Sequence, residues 1–207
     1  MSRRLPIFPL GSVLLPTQLL PLHVFEPRYR ELMARLTVPG AATELGVVLI
    51  ERGREVGGGD QRVSIGTTAR LVEAEMLRDG RWLAVFAGTG RFRVVDWLPD
   101  DPYPQAEVVD LPDPEWDPVD DGALAAAEGE VRQALAMAAE LREGTVAPGF
   151  QLAADPVQRA WQLCAVAPLG PLDRQRLLEA PTAIRLVTLA NEVAEVRRML
   201  AFRLSGG

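Results

Sequence analysis

The sequence predicts an α+β protein, with a β-rich first half and a helical second half. Three observations carry this expectation. Residues 67–98 place apolar side chains at alternate positions on both sides of Asp79-Gly80, a dipeptide suited to the two-residue turn of a hairpin. Residues 110–121 are acidic and rich in proline, the mark of a break between elements. Beyond them alanine and leucine recur at helical spacing, as in the 3-4-3-4 series Leu186, Leu189, Val193, Val196 and Leu200. Strands first and helices second is an α+β order. We expect a β-rich domain over residues 1–115 and a helical domain over residues 118–207.

The chain opens with three apolar runs, over residues 5–10, 13–15 and 19–25, each broken or flanked by proline. Proline removes a ladder donor, so these should be edge or kinked strands. A short helix follows. Pro27 takes its first position, where a missing N–H has no partner to lose. Tyr29, Leu32, Met33 and Leu36 share one face at i, i+3, i+4 and i+7. Pro39-Gly40 signals a turn. Residues 46–50 are continuously apolar, as in a strand covered on both faces. Residues 52–62 contain three consecutive glycines and read as a flexible polar connection, with a mobile lid as the functional alternative.

The meander comes next. Strands are expected over 67–77 and 81–87, with Gly88-Thr-Gly90 as a second turn and a third strand over 91–98. Trp82, Ala84 and Phe86 fall on one face of their strand. Residues 103–111 add another strand. Closed by the N-terminal strands, such a meander makes a small barrel-like sheet.

In the second half a helix is expected over 124–142, with Val131, Leu135, Ala138 and Leu141 on one side, then a loop over 144–154. Asp155, Pro156 and Gln158 form a helix start: a cap, a proline at the first position and an amide at the third. That helix should run to about residue 167. A short one over 173–180 ends at Pro181, and a long one spans 182–204. The seam of the long helix should pack within its own bundle rather than on another chain.

Bulk properties exclude several function classes. A net charge of −6 and a pI near 5.0 argue against a general nucleic-acid binder, which usually shows a basic face. No run of eighteen apolar residues offers a membrane span, and prolines interrupt the N-terminus where a signal peptide would need an apolar core. Cys164 is the only cysteine, so no internal disulfide can form. That fits a reducing compartment, and we expect a cytoplasmic protein. All 22 basic residues are arginine. Without lysine the chain cannot supply a Walker-type phosphate lysine, a Schiff base or a Ser-Lys dyad.

A search for catalytic groups finds little. Gly88-Thr-Gly90 lacks the third glycine and the following helix of a dinucleotide loop. His23, the only histidine, stands in an apolar run and is expected to have a structural, hydrogen-bonded role. No Cys/His cluster with metal-ligand spacing exists, and neither Ser12 nor Ser64 lies in a nucleophile elbow. Glu73 and Glu75 should share one strand face about 7 Å apart, a separation glycosidases use. A solvated strand face is the plainer account. Glu26 and Arg28 flank Pro27 and are expected to pair across the strand–helix junction. Cys164 reads as a small buried hydrophobe. We expect no catalytic residue, no cofactor and no metal.

Pro6-Ile-Phe-Pro-Leu-Gly11, Leu14-Leu-Pro16 and Leu20-Pro-Leu-His-Val-Phe-Glu-Pro-Arg-Tyr29 together resemble the opening signature of the Lon protease N-terminal, substrate-binding domain family. Pro6, Pro9, Leu10, Pro16, Pro21, Phe25, Glu26, Pro27, Arg28 and Tyr29 carry the likeness. It implies a PUA-like twisted pseudo-barrel followed by a helical bundle, in a stand-alone member lacking ATPase and protease domains. It also implies a non-catalytic, ATP-independent receptor for unfolded or tagged polypeptides, or an adaptor to a protease or chaperone. Phe25, Tyr29, Met76, Trp82 and Trp97 are the aromatic and apolar candidates for polypeptide contact.

Two other classes stay open at this point. A PUA-like sheet could bind RNA through Arg70, Arg78, Arg81, Arg91 and Arg93, which crowd the hairpins. A cleft between sheet and helices could hold a small-molecule active site. Nothing in the sequence selects an oligomeric state.

Overall fold

The computed structural model describes residues 1–53, 61–143, 146 and 149–205. The chain divides into two compact units, Met1–Pro112 and Asp113–Gly207. The division falls inside the acidic, proline-rich stretch.

The first unit contains β1 (Ser2–Leu10), β2 (Leu19–Val24), α1 (Pro27–Leu36), β3 (Glu44–Arg52), β4 (Gln61–Arg62), β5 (Ile65–Met76), β6 (Trp82–Leu98) and β7 (Gln105–Leu111). Neighbours run β1-β7-β6-β5-β3, and β3 pairs back onto β1, so five strands close into a barrel. β2 lies beside β6, and the two-residue β4 lies beside β3.

β1, expected as an edge or kinked strand, is the closing strand and changes partner midway. Ser2–Pro6 pair antiparallel with β7, whereas Ile7–Leu10 pair parallel with β3. The switch falls at Ile7, whose N–H donates to the Pro104 carbonyl at 2.8 Å. Each half-strand is bonded along one side only, so a proline nitrogen can face the other side without losing a ladder bond. β2, which carries Pro21, pairs with β6 alone among the described residues and is an edge strand as expected. Val13, Leu14 and Leu15 are buried but form no strand. Their loop is fixed by the Thr67 hydroxyl, which donates to the Leu14 carbonyl at 2.6 Å.

Gly88-Thr89-Gly90 is not a turn. β6 runs unbroken through it for 17 residues. Thr68 pairs with Gly90 and Ala69 with Gly88, which leaves Thr89 as an extra residue, a bulge that bends the strand. The chain also needs Gly88 for close approach. Thr17 N–H donates to its carbonyl and its own N–H donates to Gln18, each at 2.9 Å, and a Cβ there would collide with the Leu15 carbonyl. Further register shifts fall at Val72 in β5 and Val95 in β6. Bulges of this kind increase local twist and allow so short a sheet to curl shut. Gly80, with φ +79°, makes the hairpin turn between β5 and β6.

α1 closes one side of the barrel. Tyr29, Leu32, Met33 and Leu36, the face read from periodicity, are all buried and pack with Leu45, Val47, Ala84 and Phe86. Phe8 stacks on Tyr29 with centroids 4.1 Å apart. Arg28 bonds Glu26 at 3.2 Å and lies over the Tyr29 ring at 4.6 Å, pinning the junction at Pro27.

The second unit contains a 3-10 turn at Pro118–Asp120, then α2 (Asp121–Glu140), α3 (Pro156–Val166), α4 (Pro171–Glu179) and α5 (Thr182–Leu204). The Asp155 carboxylate accepts from the Gln158 N–H at 2.8 Å and caps α3. At the other end of α3, Arg174 donates to the Ala165 and Ala167 carbonyls at 3.0 and 3.2 Å. α5 packs along α2. Leu186, Leu189, Val193 and Leu200 are buried and Val196 is half-buried, so the 3-4-3-4 seam serves this bundle. Cys164 is fully buried, and burial pushes its thiol up to about 12. The residues expected as a lid fall mostly, and those of the 144–154 loop partly, outside the described residues.

Candidate polypeptide-binding face

β2, β5 and β6 form a three-stranded ribbon whose two faces differ. Alternation sends Leu20, Leu22, Leu71, Ala74, Ala84 and Phe86 inward, where they pack with α1. The opposite positions face outward. Pro21 lies opposite Val85, and Val85 opposite Glu73; His23 lies opposite Leu83, and Leu83 opposite Glu75. Two cross-strand rows therefore build one surface, with an apolar middle strand between a Pro/His wall and a Glu/Glu wall.

These residues line a groove of about 470 Å³. Leu83 is 45% exposed at its floor. Exposed apolar side chains gathered this way, rimmed by polar ones, mark surfaces that bind other molecules. Glu73 and Glu75 do share a face, as strand geometry predicts. His23 departs from its expected role: it is exposed, with its ring 6.2 Å from that of Phe25.

A second groove, of about 400 Å³, lies on the α1 side of the same hairpin. Met76, Trp82 and Ala34 supply its apolar lining, and Arg30 and Glu31 its rim. The hairpin tip beside it is fixed by Arg81, which donates to Asp79 at 2.7 Å and holds that carboxyl below its ordinary range.

The sequence-derived contact residues separate in space. Met76, 63% exposed, and half-buried Trp82 meet in the second groove. Phe25, 50% exposed, stands at the end of β2 beside His23. Trp97 lies elsewhere, at the far end of β6, under Arg62 at 5.3 Å. Tyr29 is corrected. At 2% exposure it belongs to the core, because the α1 stripe that made it a candidate is the stripe that packs on the barrel. Leu83 and Val85 were missed. The signal was present, since a strand that turns Trp82, Ala84 and Phe86 inward must turn its intervening residues outward.

The signature residues are mostly structural. Pro6, Pro9, Leu10 and Pro16 are buried in and after β1, whereas Pro21 is exposed on the groove wall. Of the five arginines read as an RNA patch, Arg78 and Arg93 are exposed, and the other three are paired or buried. Arg70 pairs with Glu44 at 3.4 Å, Arg81 pairs with Asp79, and Arg91 is buried.

A family model described as the ATP-dependent protease La (LON) substrate-binding domain matches residues 4–193. The chain belongs to that family. These 207 residues are too few to hold an ATPase or protease domain as well.

Relatives agree with the Lon assignment. Lon protease 2 of Sorangium cellulosum is 33% identical over 111 residues, which are 52% of this chain and 14% of that protein. Lon protease 2 of Herpetosiphon aurantiacus is 34% identical over 108 residues, 50% of this chain and 13% of that one. The chain thus matches a small part of the length of these curated relatives. A solved Lon N-terminal domain protein from Xanthomonas campestris superposes with a TM-score of 0.62 and 26% identity, covering 90% of this chain and 96% of its own. The N-terminal domain of a Mycobacterium avium complex Lon protease shares the fold, with a TM-score of 0.61 and 16% identity over 93% and 98% of the two chains. Among the described residues no helix is long and apolar enough to cross a membrane, and no group of His, Cys, Asp or Glu is placed to hold a metal.

Proposed function

We propose that this Lon-family domain holds unfolded or tagged polypeptides by shape and apolar contact, and that it breaks no bond. The observation that carries the reading is the outer groove of the β2–β6–β5 ribbon. Its floor is apolar, its strands are already extended, and its mouth opens to solvent. An extended segment laid there exchanges hydrated apolar surface for contact at about 25 cal/mol per Å², and grooves and sheet edges bind peptides without catalysis. The family's description as a substrate-binding domain supports the same role. We extend it to an adaptor that delivers captured chains to a separate protease or chaperone.

The test is capture of a reduced, alkylated and permanently unfolded protein, followed by fluorescence anisotropy. Wild type should bind it, and Leu83→Asp with Val85→Asp should bind it at least about tenfold more weakly, because charge is placed on the apolar floor. Equal binding by both proteins overturns the assignment of the groove. Cleavage of casein by purified protein, with contaminating proteases excluded, overturns the non-catalytic reading.

A further inference from the structure

We propose that the outer edge of β5 takes an extended polypeptide in which basic and apolar side chains alternate. This rests on the polypeptide-binding reading above and names the sequence preferred. The ladder between β5 and β3 ends at the pair Arg70–Glu44, with one more bond from Leu71 N–H to the Thr43 carbonyl at 2.8 Å. From residue 72 to residue 76, β5 pairs with β6 alone among the described residues. Its other edge is therefore open to strand addition, in which backbone bonds give affinity and alternate side chains give specificity.

The side chains beside that edge set the chemistry. Glu73 and Glu75 face the outer groove, opposite Val85 and Leu83. Residues of an added strand directly across from them would lie on the same face, about 5 Å away. Neither glutamate has a hydrogen-bond or ion-pair partner among the described residues. Two neighbouring arginines on the ribbon are engaged elsewhere, Arg70 with Glu44 at 3.4 Å and Arg81 with Asp79 at 2.6 Å. Two unpaired carboxylates next to exposed Leu83 and half-buried Val85 suit arginine or lysine, whose stems can lie along apolar surface while the charge reaches the acid. The intervening residue of the added strand points the other way, across from half-buried Ala74 and diagonal to exposed Met76. The edge so reads basic, apolar, basic at successive positions. A net charge of −6 on the chain adds long-range attraction for such a segment.

Dye-labelled hexapeptides test this by fluorescence anisotropy at low and high salt. One alternates arginine and valine, a second serine and valine, and a third is the arginine–valine peptide with its edge-facing amides N-methylated. The arginine–valine peptide should bind about tenfold tighter than the serine–valine peptide at low salt, as two exposed charge pairs allow. High salt should shrink the difference. Glu73→Gln with Glu75→Gln should bring the arginine–valine peptide down to the serine–valine affinity, and N-methylation should abolish binding. Equal affinities, or indifference to N-methylation, overturn the inference. If wild type still captures the unfolded protein in that case, only the edge and its charge preference fall. If it captures neither, the polypeptide-binding reading falls too.

Discussion

Arg185 is completely buried, and its guanidinium lies 2.9 Å from the Asp113 carboxylate while stacking on Trp161 at 3.6 Å. The Trp161 indole N–H donates to the other Asp113 oxygen at 2.6 Å, and Arg185 also donates to the Leu177 and Ala180 carbonyls. One carboxylate at the start of the second unit thus anchors α3 and α5 through a buried charge. Removing it leaves that charge without its counter-ion. Asp113→Ala should destabilise the second unit by about 3–5 kcal/mol. Asp113→Leu combined with Arg185→Met, which removes both charges, should lose far less. Urea denaturation of the three proteins measures the difference, and equal losses would show that packing rather than charge holds the site.

The buried thiol gives a pH prediction. Thiolate is the reactive form, and burial raises the Cys164 pKa from 9.0 to about 12. A thiol-specific dye should leave the folded protein untouched near neutral pH and label one site after denaturation. The folded state keeps this proton more tightly than the unfolded state does. The stability involved is therefore complete below about pH 9 and declines as pH rises toward 12, by up to about 1.4 kcal/mol per unit. Urea midpoints measured at about pH 8 and about pH 10.5 should differ more in wild type than in Cys164→Ala.

Gly88→Ala should cost about 1–3 kcal/mol, an overpacking penalty. The added methyl meets the Leu15 carbonyl, which is held by the Gln18 N–H at 3.2 Å. Gly90→Ala, where a Cβ meets open space, should be milder. Thermal melts of the two variants make the comparison.

Asp155→Ala removes the carboxylate that accepts the Gln158 N–H at 2.8 Å. A lost cap costs about 1 kcal/mol. Asp155→Asn or Asp155→Ser should recover most of it, and helical circular dichroism during urea titration reads the change.

Much of this architecture was legible because local physics was left undisturbed. α1, the α3 cap and the α5 seam stand where periodicity and capping put them. Errors arose where tertiary pairing overrode a local signal. Gly88 and Gly90 look like turn residues, but a strand bent by a bulge needs small residues as much as a turn does. Pro6 and Pro9 suggested an edge or kinked strand, and only the pairing of distant strands reveals one that changes partners midway. The site was harder to find. Aromatic residues drew attention, yet Tyr29 was claimed by the core, while exposed Leu83 and half-buried Val85, ordinary members of an alternating strand, line the groove.

The midway exchange of partners in β1 ties the beginning of the first unit to its end. Ser2–Pro6 cannot find their antiparallel neighbour until residues 105–109 exist. A ribosome must therefore thread out more than a hundred residues before the barrel can seal, and until then Ser2–Pro6 wait without their antiparallel neighbour.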